Sequence, residues 1–293
     1  IVDYPGEWLL DLGLMDQSYE EWSRQTLDRL ARRDEGADYL ARVGATDPGA
    51  RLDEVQATAL AAAFTDYLAA ARKAGFSDLT PGRFLLPGDL AGSPALTFAP
   101  LPEGAGLPGR GSLGREFARR YDAYREKVVK PFFRDHFARL DRQIVLVDAL
   151  SALNSGPAAV RDLETALSEI LVAFRAGRSG FVSTIFRPKI DRILFAATKA
   201  DHLHHTSHDR LENILRLLTA RAIARAEDVG AHVDVVALAA VRATREARVK
   251  QGGILGERSE LDAIVGVPLP GERIDGEIFD GKGEVAIFPG ELP

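Results

Sequence analysis

The four residues Thr198-Lys199-Ala200-Asp201 follow directly on an apolar run at 193–197, and a T-K-x-D string occurs once in the chain. An Asp at such a strand end can accept from both guanine N1–H and the exocyclic amine, a two-point readout that adenine cannot satisfy. Lys199 would lay an aliphatic stem and a charge over the base plane. The alternative for Asp201 is an N-cap in front of a helix through Leu211. A second pattern, D-x-x-G, stands at Asp3-Tyr4-Pro5-Gly6. There Asp3 would hold the shell of a Mg²⁺ ion, and Gly6 would bring its N–H against a terminal phosphate. The string recurs at Asp89-Leu90-Ala91-Gly92 and Asp280-Gly281-Lys282-Gly283, so alone it describes a strand-ending turn equally well. Glu7 stands where a carboxylate could orient an attacking water, although an exposed acid after a turn is the plainer role. After a further apolar run at 233–240, small residues would let main-chain N–H groups of Ala240 and Val241 approach a base carbonyl.

Other chemistry-bearing residues have competing explanations. Asp148 ends an apolar run and could imitate a metal-holding acid, but it also suits a cap on the segment that follows. His202, His204, His205 and His208 invite a Zn²⁺ or Ni²⁺ site. No acidic or cysteine partner is fixed by their spacing, and an exposed polar loop accounts for them as well. The stretch 115–142 is basic with interleaved Phe and Tyr and could touch RNA or anionic lipid; a solvated helix face with i,i+4 ion pairs is the ordinary explanation.

Positioning such residues requires a parallel sheet, because ligands bind beyond the carboxyl ends of its strands. The runs 144–150, 193–197 and 233–240 alternate with amphipathic stretches, the pattern of βαβ units whose strands are covered on both faces. One intervening helix carries Val160, Leu163, Leu167, Ile170, Leu171 and Phe174, and another carries Leu211, Ile214, Leu215, Leu218 and Ala222. Earlier in the chain the pattern is helical. Ser18 and Glu21 form a capping box ahead of Trp22, and Leu52, Val55, Ala59, Ala63, Tyr67 and Ala71 predict one face of a helix ending at Gly75. Residues 80–114 are rich in Gly and Pro and predict an irregular, partly packed connection, and Pro131 predicts a break in the next helix. Gly276, Phe279, Asp280-Gly281 and 285–288 predict a small hairpin. The expected division is 1–17 as a strand and switch segment, 18–140 as a helical insertion, 141–250 as the remainder of the sheet domain, and 251–293 as an extension.

The 293 residues carry 37 Lys and Arg against 43 Asp and Glu, a formal charge of -6 that offers no global field for nucleic acid. With no cysteine, a disulfide framework and a thiolate site are excluded. The longest apolar run, 235–241, is far short of the ~18 residues of a membrane span. The chain opens on Ile1-Val2-Asp3 without a Met, as if cut from something longer, so any targeting segment would lie upstream.

D-x-x-G, then T-K-x-D, then a strand ending in small residues is the order of a guanine-nucleotide-binding domain. Together with Asp3-Tyr4-Pro5-Gly6-Glu7-Trp8, Val145-Leu146-Val147-Asp148, Leu153-Asn154-Ser155-Gly156-Pro157, the stretch from Leu194 to His202 and the terminal Phe288-Pro289-Gly290-Glu291-Leu292-Pro293, it resembles the YcjX-like family of bacterial P-loop proteins. The resemblance implies a cytoplasmic GTP-binding, GTP-hydrolysing protein, linked loosely to stress responses and using GTP/GDP and Mg²⁺. The implied fold is α/β, a P-loop NTPase G-domain-like parallel sheet with a large helical insertion. The family's phosphate loop, G-x-x-x-x-G-K-[ST], has no match in the chain, where the one Gly-Lys pair is Gly281-Lys282. That loop would supply most of the phosphate grip, and its strand the middle of the sheet. The expectation is therefore an incomplete form, with its N-terminal strand and phosphate loop missing, that neither binds GTP tightly nor folds with full stability. Two other functions fit the same residues: a nucleotide-independent interaction scaffold with a degenerate G-like core, and an ATP-using relative.

Overall fold

Ser18 Oγ accepts the main-chain N–H of Glu21 while the Glu21 carboxylate accepts the N–H of Ser18, so the expected capping box starts its helix. The computed structural model that shows this describes residues 3–102, 109–136, 140–172, 191–228, 230–252, 258–274, 277–289 and 292. The expected opening strand at Ile1 and Val2, the helical position of Phe174, and Gly276 lie outside the described residues. Helices in chain order are α1 (Gly6–Leu10), α2 (Tyr19–Leu30), α3 (Ala37–Gly44), α4 (Glu54–Lys73), α5 (Gly82–Leu85), α6 (Leu113–Tyr124), α7 (Lys130–Asp135), α8 (Ala149–Asn154), α9 (Pro157–Val172), α10 (His208–Leu218) and α11 (Ala220–Glu227). Strands are β1 (Arg142–Val147), β2 (Arg192–Ala197), β3 (His232–Ala237), β4 (Arg245–Gly252), β5 (Arg258–Gly266), β6 (Arg273–Ile274), β7 (Glu277–Ile278) and β8 (Val285–Ile287). Contacts divide the chain into two compact units, Ile1–Asp141 with Ser155–Ile190, and Arg142–Asn154 with Asp191–Pro293.

The first unit is helical around Trp22, which is fully buried, stacked on Tyr121 at 5.1 Å and edge-on to Phe64 at 5.9 Å and Phe98 at 5.6 Å. Phe98 comes from the Gly- and Pro-rich connection, which packs as expected with Phe84, Phe98, Ala99 and Leu101 buried. Its carbonyls lack a ladder and are satisfied by hydroxyls instead: Tyr19 donates to Ala99, Tyr39 to Pro100 and Ser23 to Leu101. Helix α4 ends at Gly75 in the left-handed region, φ +93°, as its sequence predicts. Its buried face differs from the expected one. Ala57, Leu60, Phe64, Tyr67, Leu68 and Ala71 point inward, whereas Val55 is 79 % exposed. Alanines surround this helix, so periodicity alone does not select a face, and the larger side chains win by the area they remove from water. Ahead of Pro131 the helix widens into a π turn at Arg125–Val129 rather than stopping, which relieves the clash of the proline ring with the preceding turn. The basic face carries the expected i,i+4 pairs, Arg120 with Glu116 and Lys130 with Glu126. Helix α9, expected beside the sheet, packs on α1 and the turn after it.

A buried acid, Asp11, and a half-buried one, Glu169, give this unit a pH dependence. Asp11 accepts N–H from Gly82 at 2.7 Å and the Tyr124 hydroxyl; burial pushes its carboxyl from 3.8 up to about 6 against those bonds. Burial and neighbouring Asp78 push Glu169 from 4.5 up to about 7 against the pull of Arg29. Both folded values exceed the unfolded ones, so the folded chain holds more protons between them. The stability these groups contribute is complete below the unfolded values and is lost as pH rises through about 6 and about 7. Denaturant unfolding followed from about pH 5 to about pH 8 should lose on the order of 1–3 kcal/mol, and Glu169→Gln should flatten the upper part of that slope.

In the second unit β1, β2 and β3 form a parallel sheet in that order, with Val147, Ala197 and Ala237 aligned at its carboxyl end. Helices α10 and α11 connect β2 to β3 and pack on the sheet. The expectation that every strand is covered on both faces fails at β1. Val145 and Val147 are buried, while Ile144 and Leu146, on the other face of this edge strand, are 63 % and 65 % exposed. The expected hairpin also differs. The Asp280-Gly281 turn forms, with Asp280 Oδ1 accepting the N–H of Lys282, but β7 pairs with β6 and β8 adds to β5. Buried Ile264 and Val265 on β5 stand opposite Ile287 and Ala286, an apolar seam for β8. The antiparallel pair β4–β5, eight residues in register, is the chain's longest strand pairing among the described residues.

Candidate functional site

The carboxyl end of the parallel sheet is built by hydrogen bonds that carry each chain crossing into the next loop. Thr198 N–H donates to Val147 O at 2.9 Å, Leu238 N–H to Ala197 O at 2.9 Å and Ala200 N–H to Leu238 O at 3.2 Å. Lys199 sits at φ 60°, the one non-glycine residue in the left-handed region among the described residues. That conformation costs a side-chain-bearing residue of order 1 kcal/mol and persists because the bonds on either side over-determine it. It starts the tight 3-10 turn Ala200–His202, which tucks Asp201 in to 9 % exposure.

Asp201 is fastened to the loop after β3. Its Oδ2 accepts the N–H of Ala243 at 3.0 Å, and its main-chain carbonyl accepts the Thr244 hydroxyl. The helix through Leu211, α10, begins at His208 behind Ser207, so Asp201 does not cap it. The Lys199 Nζ lies 2.6 Å from Asp148 Oδ2, and Asp148 Oδ1 accepts the N–H of Ser151 at 3.1 Å in the first turn of α8, the capping role weighed from sequence. Ala240 and Val241 are exposed on the loop that leaves β3. Thr198, Lys199, Asp201, Ala240 and Val241 thus share one end of one sheet, which sequence order alone could only suggest.

The N-terminal candidates belong to the first unit. Asp3 is exposed and precedes α1, Gly6 is the first residue of α1, and the Glu7 carboxylate is ion-paired with Arg72 at 2.6 Å. Gly82 is held to glycine here, because a Cβ would come within 1.9 Å of the Glu7 carbonyl. Among the described residues the one group of His and carboxylate side chains within ligand distance is His204, His205 and Glu246, and Asp3 is not in it. The two histidines stand side by side in the sequence, whereas the acid comes from β4, 41 residues after His205. A polar strand edge gave no signal for it.

A parallel three-stranded sheet whose carboxyl-end loops gather Thr198, Lys199, Asp201 and a small-residue segment defines a mixed α/β protein. The profile of the YcjX-like family, DUF463, matches residues 1–293, and the chain belongs to that family. It is 40 % identical over 304 residues to the Ras-like GTPase YcjX of Escherichia coli (strain K12), covering 100 % of this chain and 62 % of the relative. Against the Ras-like GTPase YcjX of Shewanella oneidensis it is 35 % identical over 309 residues, covering 100 % of this chain and 59 % of the relative. The chain therefore spans about three fifths of the length of the curated relatives it matches.

Proposed function

We propose that the second unit is the base-recognising part of a guanine-nucleotide-binding, GTP-hydrolysing protein with a G-domain-like core. The observation that carries this reading is the fixed, nearly buried Asp201 at the carboxyl end of the sheet, held by the loop that bears Ala240 and Val241. The Ala243 N–H occupies Oδ2 and holds the carboxylate in one orientation, so the carboxylate meets the base already ordered. Ala240 and Val241 would offer main-chain N–H groups to the base carbonyl, and Thr198 and Lys199 would flank the ring. Lys199 must trade its Asp148 contact for the base, or keep it and present only its stem.

The residues fit GTP/GDP on the base side. A carboxylate and an exposed small-residue loop at one sheet end are the donor and acceptor set that guanine needs. Bound Mg²⁺ would neutralise phosphate charge; a carboxylate such as Asp3 suffices for an ion otherwise held by water and phosphate. Gly6 would lie beside the terminal phosphate. Glu7 would orient water only after leaving Arg72, a pairing that keeps it in reserve. Activity and partners of the longer relatives enter this reading as part of the proposal.

Competition binding tests it. Labelled GDP bound to the full gene product, with whatever polypeptide it encodes on either side, should be displaced by GTP and not by ATP. Equal displacement by ATP would move the site to the ATP-using alternative, and absence of any nucleotide binding would favour the interaction scaffold.

A further inference from the structure

The loop that follows Asp201 turns back on the β4–β5 hairpin at a point where two imidazoles meet one carboxylate. His204 is 5 % exposed, wedged behind buried Leu203, and its ring lies 4.3 Å from that of His205 at 39°. Both rings face Glu246 of β4. His205 Nδ1 is 2.8 Å from Glu246 Oε2, and His204 Nε2 is 3.9 Å from the same oxygen. The other oxygen is turned away, with the His205 main-chain N–H and Arg242 Nη2 each 3.1 Å from Oε1. A nitrogen of each histidine and a Glu246 oxygen all lie within 4.8 Å of one another.

We propose that His204, His205 and Glu246 form a binding site for a divalent transition metal of the zinc class, which ties the loop after Asp201 to β4. The donor set is the first reason. Two imidazole nitrogens and a carboxylate oxygen suit Zn²⁺ and its neighbours, and the solvent-exposed side of His205 leaves a fourth position for water. Spacing is the second. Donors about 2.0–2.1 Å from a tetrahedral ion lie roughly 3.3 Å apart. The 2.8 Å and 3.9 Å separations straddle that value, so small side-chain shifts would bring the donors to it.

The surroundings of His204 are the third reason. Its Nδ1 is 3.0 Å from the Thr206 hydroxyl, accepts the Thr206 main-chain N–H at 3.5 Å and lies 3.6 Å from Asp262 Oδ2. Ligation through Nε2 would place the proton on Nδ1 toward the Thr206 hydroxyl, in exchange for the long bond that Nδ1 accepts from the Thr206 N–H, and would leave the Nε2 lone pair for the ion. Arg242 beside Glu246 and Arg248 beside Asp262 oppose a cation, so the site is one of moderate affinity. The remaining clustered histidines are differently placed: His208 Nε2 holds the Ala200 carbonyl at 2.9 Å, and His202 is exposed.

The test is calorimetric titration of the tag-free chain with ZnCl2, and with CoCl2 followed by its visible ligand-field absorption. One saturable ion per chain is expected. His205→Ala and Glu246→Gln should each weaken it by more than about tenfold, since even outer-shell losses cost about 10–100-fold. The His205 side chain is 63 % exposed, so that variant should melt with the wild-type chain in chelator. His202→Ala should bind as the parent does. Absence of saturable binding, wild-type affinity in folded His205→Ala, or an equal loss in His202→Ala would overturn the site. The proposal does not depend on the guanine reading.

Discussion

Asp201→Asn in the full gene product is expected to weaken GDP binding by about 100-fold and to raise affinity for xanthosine diphosphate. Hydrogen bonds to a charged group contribute about 1.5–3 kcal/mol, and the substitution removes one acceptor from the guanine face. The amide presents one acceptor and one donor, the complement of the xanthine edge, where a second carbonyl stands in place of the guanine amine. Fold disruption is separable from lost recognition. Asp201 Oδ2 also accepts the Ala243 N–H, and an Asn carbonyl can keep that bond, so melting temperature should move little while base preference inverts. Binding isotherms with the two diphosphates measure the effect directly; unchanged GDP affinity would remove Asp201 from the base site.

Trp22→Ala should destabilise the first unit by about 3–5 kcal/mol, the usual cost of deleting a large buried aromatic. Trp22 joins elements far apart in sequence: Tyr121 of α6 stacks on it, Phe64 of α4 and Phe98 of the Gly- and Pro-rich connection meet it edge-on. Deleting it empties the point where three segments converge, and no single neighbour can collapse into the space. Trp22→Phe should be far milder. The buried indole Nε1 has no hydrogen-bond partner among the described residues, and removing an orphaned donor recovers part of the roughly 1–3 kcal/mol that it costs. Urea unfolding of the three proteins at one pH gives the comparison. Equal losses for the Ala and Phe variants would show that the ring edges, not the volume, dominate.

What was legible in the sequence is what is local. The Ser18 capping box, the end of α4 at Gly75 and the apolar runs of β2 and β3 each depend on residues within a turn or a strand of one another. T-K-x-D could be placed at a strand end for the same reason. The exposed face of β1 was hidden, because Ile144 and Leu146 look like any buried strand until the neighbours of an edge strand are known. The β4–β5 pair was hidden because its strands, Arg245-Glu246-Ala247-Arg248 and Glu260-Leu261-Asp262-Ala263, are polar and stabilise each other across the ladder, as Arg248 does with Asp262. With that hairpin unseen, Glu246 could not be matched to His205, 41 residues away; the bond from Ala243, in the loop after β3, to Asp201 likewise depends on how two distant loops meet.

Hydrogen–deuterium exchange of the full gene product with and without nucleotide addresses the base-recognition reading at the residues that carry it. Saturating GDP should slow exchange in peptides spanning 196–204 and 238–245, and saturating ADP should leave both at their free rates. Protection by ADP equal to that by GDP, or GDP protection elsewhere with both peptides unchanged, would contradict the account.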